Sequence, residues 1–378
     1  MTSHRPIRAW PAVPSVEVEI FERLASGDYE EVVFCQDRPT GLRAIVAIHS
    51  TRLGPALGGT RCHPYGSDDE ALDDVLRLAK GMTYKSAAAG LDLGGGKAVI
   101  IGDPATVKTE ALLRAYARFL DGLGGRYITA EDVGTTQADM DMIRRETRYV
   151  TGVSRALGGS GDPSAATAYG VLHAMKAVAS HLWGEANLEG RHVVVNGVGK
   201  VGTGLVRHLV EERARVTAAD IVPAAVDRVV HDFGIEASPW EKAHTLECDI
   251  YAPCALGGVL NPSTIPELRC TAVVGAANNQ LADETSADTL ARAGVLYAPD
   301  YVVNAGGVIN IAGELAPRGY HRERAYAQVR GIFDTTLAVL RTAQAEGITT
   351  AAAADRMAEQ RMDQLGHVRL IRTFEGER

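Results

Sequence analysis

Aromatic side chains, surplus positive charge and long apolar runs are all scarce in this sequence. No apolar run approaches the ~20 residues that a membrane-spanning helix needs, which excludes an integral membrane protein of that type. The formal net charge is −8, so the chain lacks the basic surface by which proteins grip nucleic acid or anionic membrane. Neither is expected as a partner. The five cysteines (Cys35, Cys62, Cys248, Cys254 and Cys270) are odd in number and form no CxxC pair. The 11 histidines form no HxxxH or HExxH pattern. A disulfide framework and a metal site are therefore not expected, and the thiols read as free and buried in a reducing cytoplasm. Met1 to Arg8 show no apolar stretch of signal-peptide length. Aromatics make up only 6% of the chain, whereas glycine occurs 40 times without any low-complexity tract, so the glycines need positional reasons.

The 378 residues are 46% hydrophobic and 23% charged, the balance of a packed soluble protein, and the length suits two domains. After an irregular start over residues 1–15, Val16 to Ala25 reads as a helix. Glu31–Asp37 and Leu42–Ser50 read as a hairpin around a Pro-Thr-Gly turn. Ser67, followed by Asp68, Asp69 and Glu70, predicts the capped start of a helix through residue 89. Strand and helix then alternate: a strand at 97–103, a helix at 106–123, a strand at 127–132 and a helix at 138–147. From Ser164 a long apolar helix leads into a second β–α–β–α series, the pattern of a parallel, doubly wound sheet. Helices over 322–346 and 351–364 close the chain.

In that second series Val193-Val194-Val195-Asn196 is followed by Gly197-Val198-Gly199-Lys200-Val201-Gly202 and then a helix. This strand–turn–helix setting is the one a dinucleotide loop requires. Gly197 permits the tight turn, Gly199 the close approach of a pyrophosphate, and Gly202 close helix–strand packing. The helix start offers free N–H groups and a positive dipole end to phosphates. Asp220 ends the next β run, eighteen residues after Gly202. A carboxylate there accepts hydrogen bonds from ribose hydroxyls and repels a 2′-phosphate, so NAD is expected rather than NADP.

Six stretches carry a resemblance to a known family: LGPALGGTR (53–61), KGMTYKSAAAGLDLGGGKAVIIGDP (80–104), RYITAEDVGT (126–135), APCALGG (252–258), GAANNQLA (275–282) and APDYVVNAGGVIN (298–310). In this order they resemble the glutamate/leucine/phenylalanine/valine dehydrogenases over residues 28–365, with the branched-chain members most similar. The resemblance implies an α/β chain of two domains: a mixed-sheet substrate domain and a Rossmann-like dinucleotide domain, with a cleft between them. It assigns 1–150 to the first and 151–349 to the second, the segment 350–378 packing back on the first. It implies NAD-dependent reversible oxidative deamination of an amino acid to its 2-oxo acid and ammonia, in a homo-oligomer, dimer or octamer.

The resemblance also implies roles. Lys85 corresponds to the lysine that takes the substrate carboxylate, with Asn279 as a further donor. Lys97 corresponds to the catalytic lysine, its pKa lowered by burial and a neighbouring cation so that it can act as a base. Asp132 corresponds to the carboxylate that exchanges protons with the substrate nitrogen, against the competing reading of a helix N-cap. Gly58 and Gly59 let backbone approach the substrate. Thr167 and Asn304 lie where the family contacts the nicotinamide. The pocket positions are Leu57, Ala130, Val308 and Ile311, all apolar, which favours an aliphatic substrate over glutamate. Discrimination among valine, leucine and isoleucine is expected to be loose, and the bulk of Ile311 tilts it toward valine. An aromatic substrate, a glutamate enzyme and a silent NAD-binding relative remain the alternatives.

Overall fold

The computed structural model describes residues 20–283 and 285–366. The expected irregular segment 1–15 and the helix start at Val16 lie outside the described residues; within them the first helix is Ile20–Gly27. Two sheets organise the chain. The first contains β1 (Glu31–Asp37), β2 (Leu42–Ser50), β3 (Ala56–His63), β4 (Gly94–Ile101) and β5 (Tyr127–Glu131), in the order β1-β2-β4-β3-β5. β1 and β2 form the expected antiparallel hairpin, closed at Asp37 opposite Leu42. β2 and β4 are antiparallel, whereas β3 runs parallel to both β4 and β5, so the sheet is mixed.

Sequence patterning did not mark β3 as a strand. Its central Gly58-Gly59 carries no β propensity, and as an interior strand it is buried on both faces and shows no alternation. For a similar reason β4 starts three residues earlier than the apolar run suggested, taking in Gly94, Gly95 and Gly96. The helix Asp68–Ala88 crosses this stretch so closely that a Cβ on Gly95 would lie 2.0 Å from the Thr83 backbone nitrogen. That helix is capped as expected, the Ser67 side chain accepting from the Glu70 N–H. The helix expected over 106–123 is two, Pro104–Val107 and Glu110–Gly122, because Thr109 starts a new one by accepting from the Leu112 N–H.

The second sheet holds β6 (His192–Asn196), β7 (Arg215–Ala219), β8 (Glu236–Ala237), β9 (Cys248–Pro253), β10 (Cys270–Val273) and β11 (Leu296–Tyr297). All its pairs are parallel, in the order β11-β10-β9-β6-β7-β8. The order reverses between β6 and β9, and in doubly wound sheets ligands bind at that switch point, outside the carboxyl ends of the strands. The two sheets and their helices make the two-domain α/β fold.

The long helix Ser164–Trp183 buries alanines along with Val171, Leu172, Met175 and Val178. It belongs to one continuous apolar cluster that includes Ile128 and Ala130 of the first sheet, Val193 and Val195 of the second, and Val308 and Ile311 of the helix Gly306–Ala312. The helix expected over 322–346 breaks at Gly331 into Arg322–Arg330 and Ile332–Glu346. The last helix, Thr350–Gly366, lies against the first sheet's long helix: Ala358 and Met362 pack on Leu53 and Ala87, and the Tyr84 hydroxyl donates to Glu359 at 3.0 Å. Residues 367–378 of that expected segment lie outside the described residues.

The five cysteines are free; four are buried and Cys254 is half-buried. Among the described residues no helix is long and apolar enough to cross a membrane, and no group of three or more His, Cys, Asp or Glu is placed to hold a metal.

Close helix–strand contact at Gly95 gives a testable contrast with Gly122, whose Cβ would meet nothing within 4 Å. Gly95→Ala is expected to destabilise by about 1–3 kcal/mol through overpacking. Gly122→Ala in the helix end is expected to be neutral or stabilising by about 0.5–1 kcal/mol. Urea unfolding midpoints compare them; equal midpoints contradict the packing described.

Candidate active site

Lys97 and Asp132 stand on the two strands that flank β3. Lys97 lies inside β4, and Asp132 directly follows β5. Between them runs Gly58-Gly59, with Gly59 opposite Ala130 and Thr60 opposite both Ala98 and Glu131. Only glycine fits there. A Cβ on Gly58 would lie 1.8 Å from the Gly96 carbonyl oxygen, and one on Gly59 would lie 2.4 Å from that of Glu131 and 2.9 Å from the Asp132 Cβ. The glycines thus let the flanking strands and the Asp132 side chain come close. Both glycines also line the cleft, where the sequence reading has them letting backbone approach the substrate.

Across that gap the Lys97 ammonium, on a residue only 5% exposed, meets Asp132 Oδ2 at 3.0 Å. Arg61, two residues beyond Gly59, donates from Nε to the same oxygen at 3.1 Å. Its Nη1 donates to Asp74 Oδ2 at 2.8 Å, and Asp74 also accepts from the Tyr65 hydroxyl and from Arg77, each at 2.7 Å. Burial pushes the Asp132 carboxyl up, but Lys97 and Arg61 outweigh it and hold the group below its usual range. Asp132 is not a helix cap: Thr136 caps the next helix, Gln137–Ile143, and the Asp132 backbone is held by Thr135. Arg61 and Asp74 were not singled out from the sequence, although Arg61 ends the LGGTR stretch.

Lys85 is half-buried on the long helix and donates to Asn278 Oδ1 at 3.3 Å. Burial, followed by the Lys97 charge, pulls its pKa down to about 8 against the opposing pull of Asp300 and Asp132. Lys97, by contrast, has a carboxylate beside it. Asn278, not Asn279, reaches Lys85; Asn279 lines the same cleft with a left-handed φ of +52°. Asn304 steadies Asn278 by donating to its Oδ1 at 2.9 Å, and the buried Asn304 Oδ1 has no hydrogen-bond partner among the described residues. Asp300 lines the cleft too, its carboxyl pushed up by burial while the Gln280 N–H donates to it at 2.8 Å.

The cleft has a volume of about 340 Å³ and lies between the two domains. Gly58, Gly59, Lys85, Lys97, Asp132, Thr167, Asn279 and Asn304 all line it. Its apolar wall is Met82, Ala130, Val308 and Ile311. Leu57 departs from the expectation: fully buried in the core cluster, it supports the wall from behind and does not line it. The Thr167 hydroxyl donates back to the Pro163 carbonyl at 3.2 Å, as helix hydroxyls do.

The glycine loop leaves the carboxyl end of β6. Gly197 takes φ +108°, and a Cβ on Gly202 would lie 1.9 Å from the Gly197 carbonyl oxygen. At Gly199, the residue before the helix Lys200–Glu211, nothing lies within 4 Å of a built Cβ. The loop thus offers an open cradle with helix N–H groups facing it, which fits a pyrophosphate. Val201 lines the cleft, which links cradle and cleft. Asp220 follows β7 and braces the loop, its Oδ2 accepting from Val198 N–H at 2.8 Å and its Oδ1 from Val222 N–H at 2.9 Å. Lys200 is exposed and paired with Asp162 at 2.7 Å.

Two family models match nearly the whole described chain: "Glu/Leu/Phe/Val dehydrogenase, dimerisation domain" over residues 29–149, and "Glutamate/Leucine/Phenylalanine/Valine dehydrogenase" over 158–227 and 224–368. The leucine dehydrogenase of Geobacillus stearothermophilus is 54% identical over 352 residues, 93% of this chain and 95% of the relative. The valine dehydrogenase of Streptomyces virginiae is 56% identical over 339 residues, 89% of this chain and 94% of the relative. Among solved structures, L-tryptophan dehydrogenase from Nostoc punctiforme superposes with a TM-score of 0.80 at 44% identity, covering 91% of this chain and 99% of that one. The hetero-hexameric glutamate dehydrogenase of Thermus thermophilus gives a TM-score of 0.74 at 26% identity, covering 93% and 95%.

The depressed Lys85 predicts a pH-dependent grip on carboxylates. Lys85 is charged below its pKa of about 8, so affinity for a probe such as 4-methylpentanoate should hold at neutral pH and fall above 8, roughly tenfold per pH unit. Calorimetric titration across that range measures it. Affinity that stays flat well into the alkaline range contradicts a carboxylate site built on Lys85.

Proposed function

This chain belongs to the Glu/Leu/Phe/Val dehydrogenase family, and we propose that it catalyses the reversible NAD-dependent oxidative deamination of a branched-chain L-amino acid. The products are the 2-oxo acid and ammonia. The observation that carries the reading is the meeting of Lys85, Lys97 and Asp132 in one cleft with an apolar wall. A silent NAD-binding relative would have no use for that set of charges.

A bound nicotinamide supplies the hydride acceptor for the substrate Cα–H. The chain's own groups do the rest. Lys85, steadied by Asn278, takes the substrate carboxylate as a point charge and fixes the α carbon, with Asn279 on the same side of the cleft. Asp132 accepts a proton from the substrate ammonium, leaving the amine lone pair to drive hydride departure and form the iminium. Water then adds to the iminium carbon while Lys97 removes its proton. As an ammonium, Lys97 stabilises the oxygen of the resulting carbinolamine. Lys97, having released the first proton to solvent, takes the carbinolamine hydroxyl proton while Asp132 returns a proton to nitrogen, so the C=O double bond forms as the C–N bond breaks and ammonia leaves. Thr167 and Asn304 contact the nicotinamide side. Gly197, Val198, Gly199, Lys200, Val201 and Gly202 hold the pyrophosphate. Asp220 takes the ribose and selects NAD over its 2′-phosphorylated form.

We place the division of the chain near residue 150, with 1–150 and the last helix as the substrate domain and 151–349 as the dinucleotide domain. Closure of the cleft excludes water while the hydride moves. A homo-oligomer is part of the proposal, and the five free thiols suit a reducing cytoplasm.

The side-chain pocket sets the substrate. Ala130, Val308 and Ile311 offer no cation or hydroxyl, and an unpaired substrate carboxylate among them would cost several kcal/mol, which disfavours glutamate. Each buried CH₂ contributes only ~0.8 kcal/mol, so valine, leucine and isoleucine are separated loosely. The bulk of Ile311 favours valine. An aromatic substrate is the second reading, favoured by the likeness to the L-tryptophan enzyme.

Two variants test this reading. Lys97→Ala should bind NADH normally, by fluorescence titration, and lose about 10²–10⁴-fold in kcat. Near-normal turnover would refute the role of Lys97. Ile311→Ala should shift kcat/KM toward longer side chains by roughly tenfold for leucine or phenylalanine relative to valine, read over a panel of aliphatic, aromatic and acidic amino acids. Unchanged ratios would remove Ile311 from the specificity wall.

A further inference from the structure

The sequence singled out Lys97 and Asp132 and passed over the third member of their cluster. Both cations beside Asp132 sit on one oxygen: Lys97 Nζ at 3.0 Å and Arg61 Nε at 3.1 Å are both on Oδ2. Oδ1 takes no hydrogen bond among the described residues, and Asp132 lines the cleft. We infer that Arg61 is the positioning residue of the proton-exchanging carboxylate: it pins Asp132 Oδ2, leaves Oδ1 for the substrate nitrogen, and is itself anchored by Asp74. The inference rests on the role proposed above for Asp132.

The chemistry requires such a group. Lys97 cannot serve water or the carbinolamine oxygen and hold Asp132 at the same time. When its ammonium turns to the substrate, Asp132 would lose its partner in a site that is largely closed to solvent. Its ionised form would then be disfavoured at the moment it must accept a proton. Arg61 prevents this, because a guanidinium stays charged at every working pH and does not exchange protons itself.

The fork geometry suits the task. Nε faces Asp132 while Nη1, on another side of the plane, holds Asp74 at 2.8 Å. Asp74 is held in turn by Tyr65 and Arg77. The guanidinium therefore cannot swing after Lys97. A lysine at this position reaches one carboxylate and not both.

The other titratable groups that face or adjoin Asp132 do not substitute for it. Glu131 precedes it in the chain and is a carboxyl pushed up by burial. Tyr127 on β5 donates its hydroxyl to the Gly58 carbonyl at 2.6 Å. Lys85 is committed to Asn278 and, in the proposed reaction, to the substrate carboxylate. Asp74 is an anion. Arg77 also lines the cleft but is paired with Asp74, so among the described residues Arg61 is the cation that remains.

The pH profile of kcat/KM tests this, with Arg61→Gln, Arg61→Lys, Asp74→Asn and Asp132→Asn compared with the unmodified enzyme. Losing Arg61 raises the Asp132 pKa, so the ionised form needed at the start is present only at higher pH. Arg61→Gln should therefore move the acidic limb up by about 1–2 pH units. It should lower kcat roughly 10–100-fold and leave KM for the amino acid within about threefold, because Lys85 sets binding. Arg61→Lys should return the limb close to its original position with kcat recovered in part. Asp74→Asn should shift the limb in the same direction by less.

A merely structural role would lower the amount of folded enzyme and leave the limb in place, which overturns the inference. If Arg61→Gln does not fold, by circular dichroism and NADH binding, Asp74→Asn decides: a limb unmoved in that variant overturns the inference. Asp132→Asn separates the two claims. If that variant turns over normally, the proposed role of Asp132 itself is wrong. If it is inactive while Arg61→Gln keeps the original limb and kcat, only the inference about Arg61 fails.

Discussion

A lysine ammonium placed inside a β-sheet needs an anion, and much of the first domain follows from supplying one to Lys97. The partner, Asp132, comes from a strand that is not adjacent to β4: β3 lies between them. The pair can therefore close only if the middle strand presents no side chains at the crossing point. Gly58 and Gly59 meet that condition. Strand order, glycine placement and ion pair are one arrangement. Removing Asp132 would leave the buried Lys97 uncompensated, at a typical cost of about 3–5 kcal/mol, whereas Asp132 without Lys97 keeps Arg61.

The same packing sets apart the two lysines of the cleft. Lys97 has a carboxylate at 3.0 Å, whereas Lys85 has the amide oxygen of Asn278 and carboxylates only at longer range. Burial with a neutral partner depresses Lys85, and the charge of Lys97 adds to the effect. A lysine left short of counter-charge is one prepared to receive an anion from outside. A lysine with a resident carboxylate is prepared to exchange that partner for a reacting oxygen. The binding and reacting roles proposed for the two lysines thus match the electrostatics of the cleft.

Legibility from sequence followed the same physics. The dinucleotide half was readable because a parallel sheet buried on both faces shows as continuous apolar runs, such as Val193 to Val195, between amphipathic helices. β3 and the start of β4 were not, because their glycines answer to neighbours distant in sequence: Thr83 opposite Gly95, Glu131 opposite Gly59. Lys85, Lys97 and Asp132 were found through the family resemblance, and the contact of Asn278 with Lys85 was not, since adjacent amides differ only in where the backbone turns. Leu57, expected in the pocket wall, is buried behind it, because a residue that supports a wall and one that forms it look alike in sequence. Arg61 and Asp74 were missed because an arginine and an aspartate thirteen residues apart give no local signal.

The apolar wall of the cleft carries a further consequence. Ala130, Val308 and Ile311 belong to the same cluster that holds the long helix Ser164–Trp183 against both sheets. The residues proposed to measure the substrate side chain are therefore core residues, stiffened by the packing that joins the two domains. A substrate of the right shape completes that core, and one that is too small leaves an unfilled gap beside it. Selectivity of this kind changes gradually with volume, because it is made of dispersion and burial and has no hydrogen bond to lose. The polar end of the cleft behaves differently: a misplaced carboxylate or nitrogen there forfeits charge-assisted contacts. The proposed function thus pairs strict recognition of the α-amino acid end with tolerance along the side chain, because the two ends of one cleft are built from different physical forces.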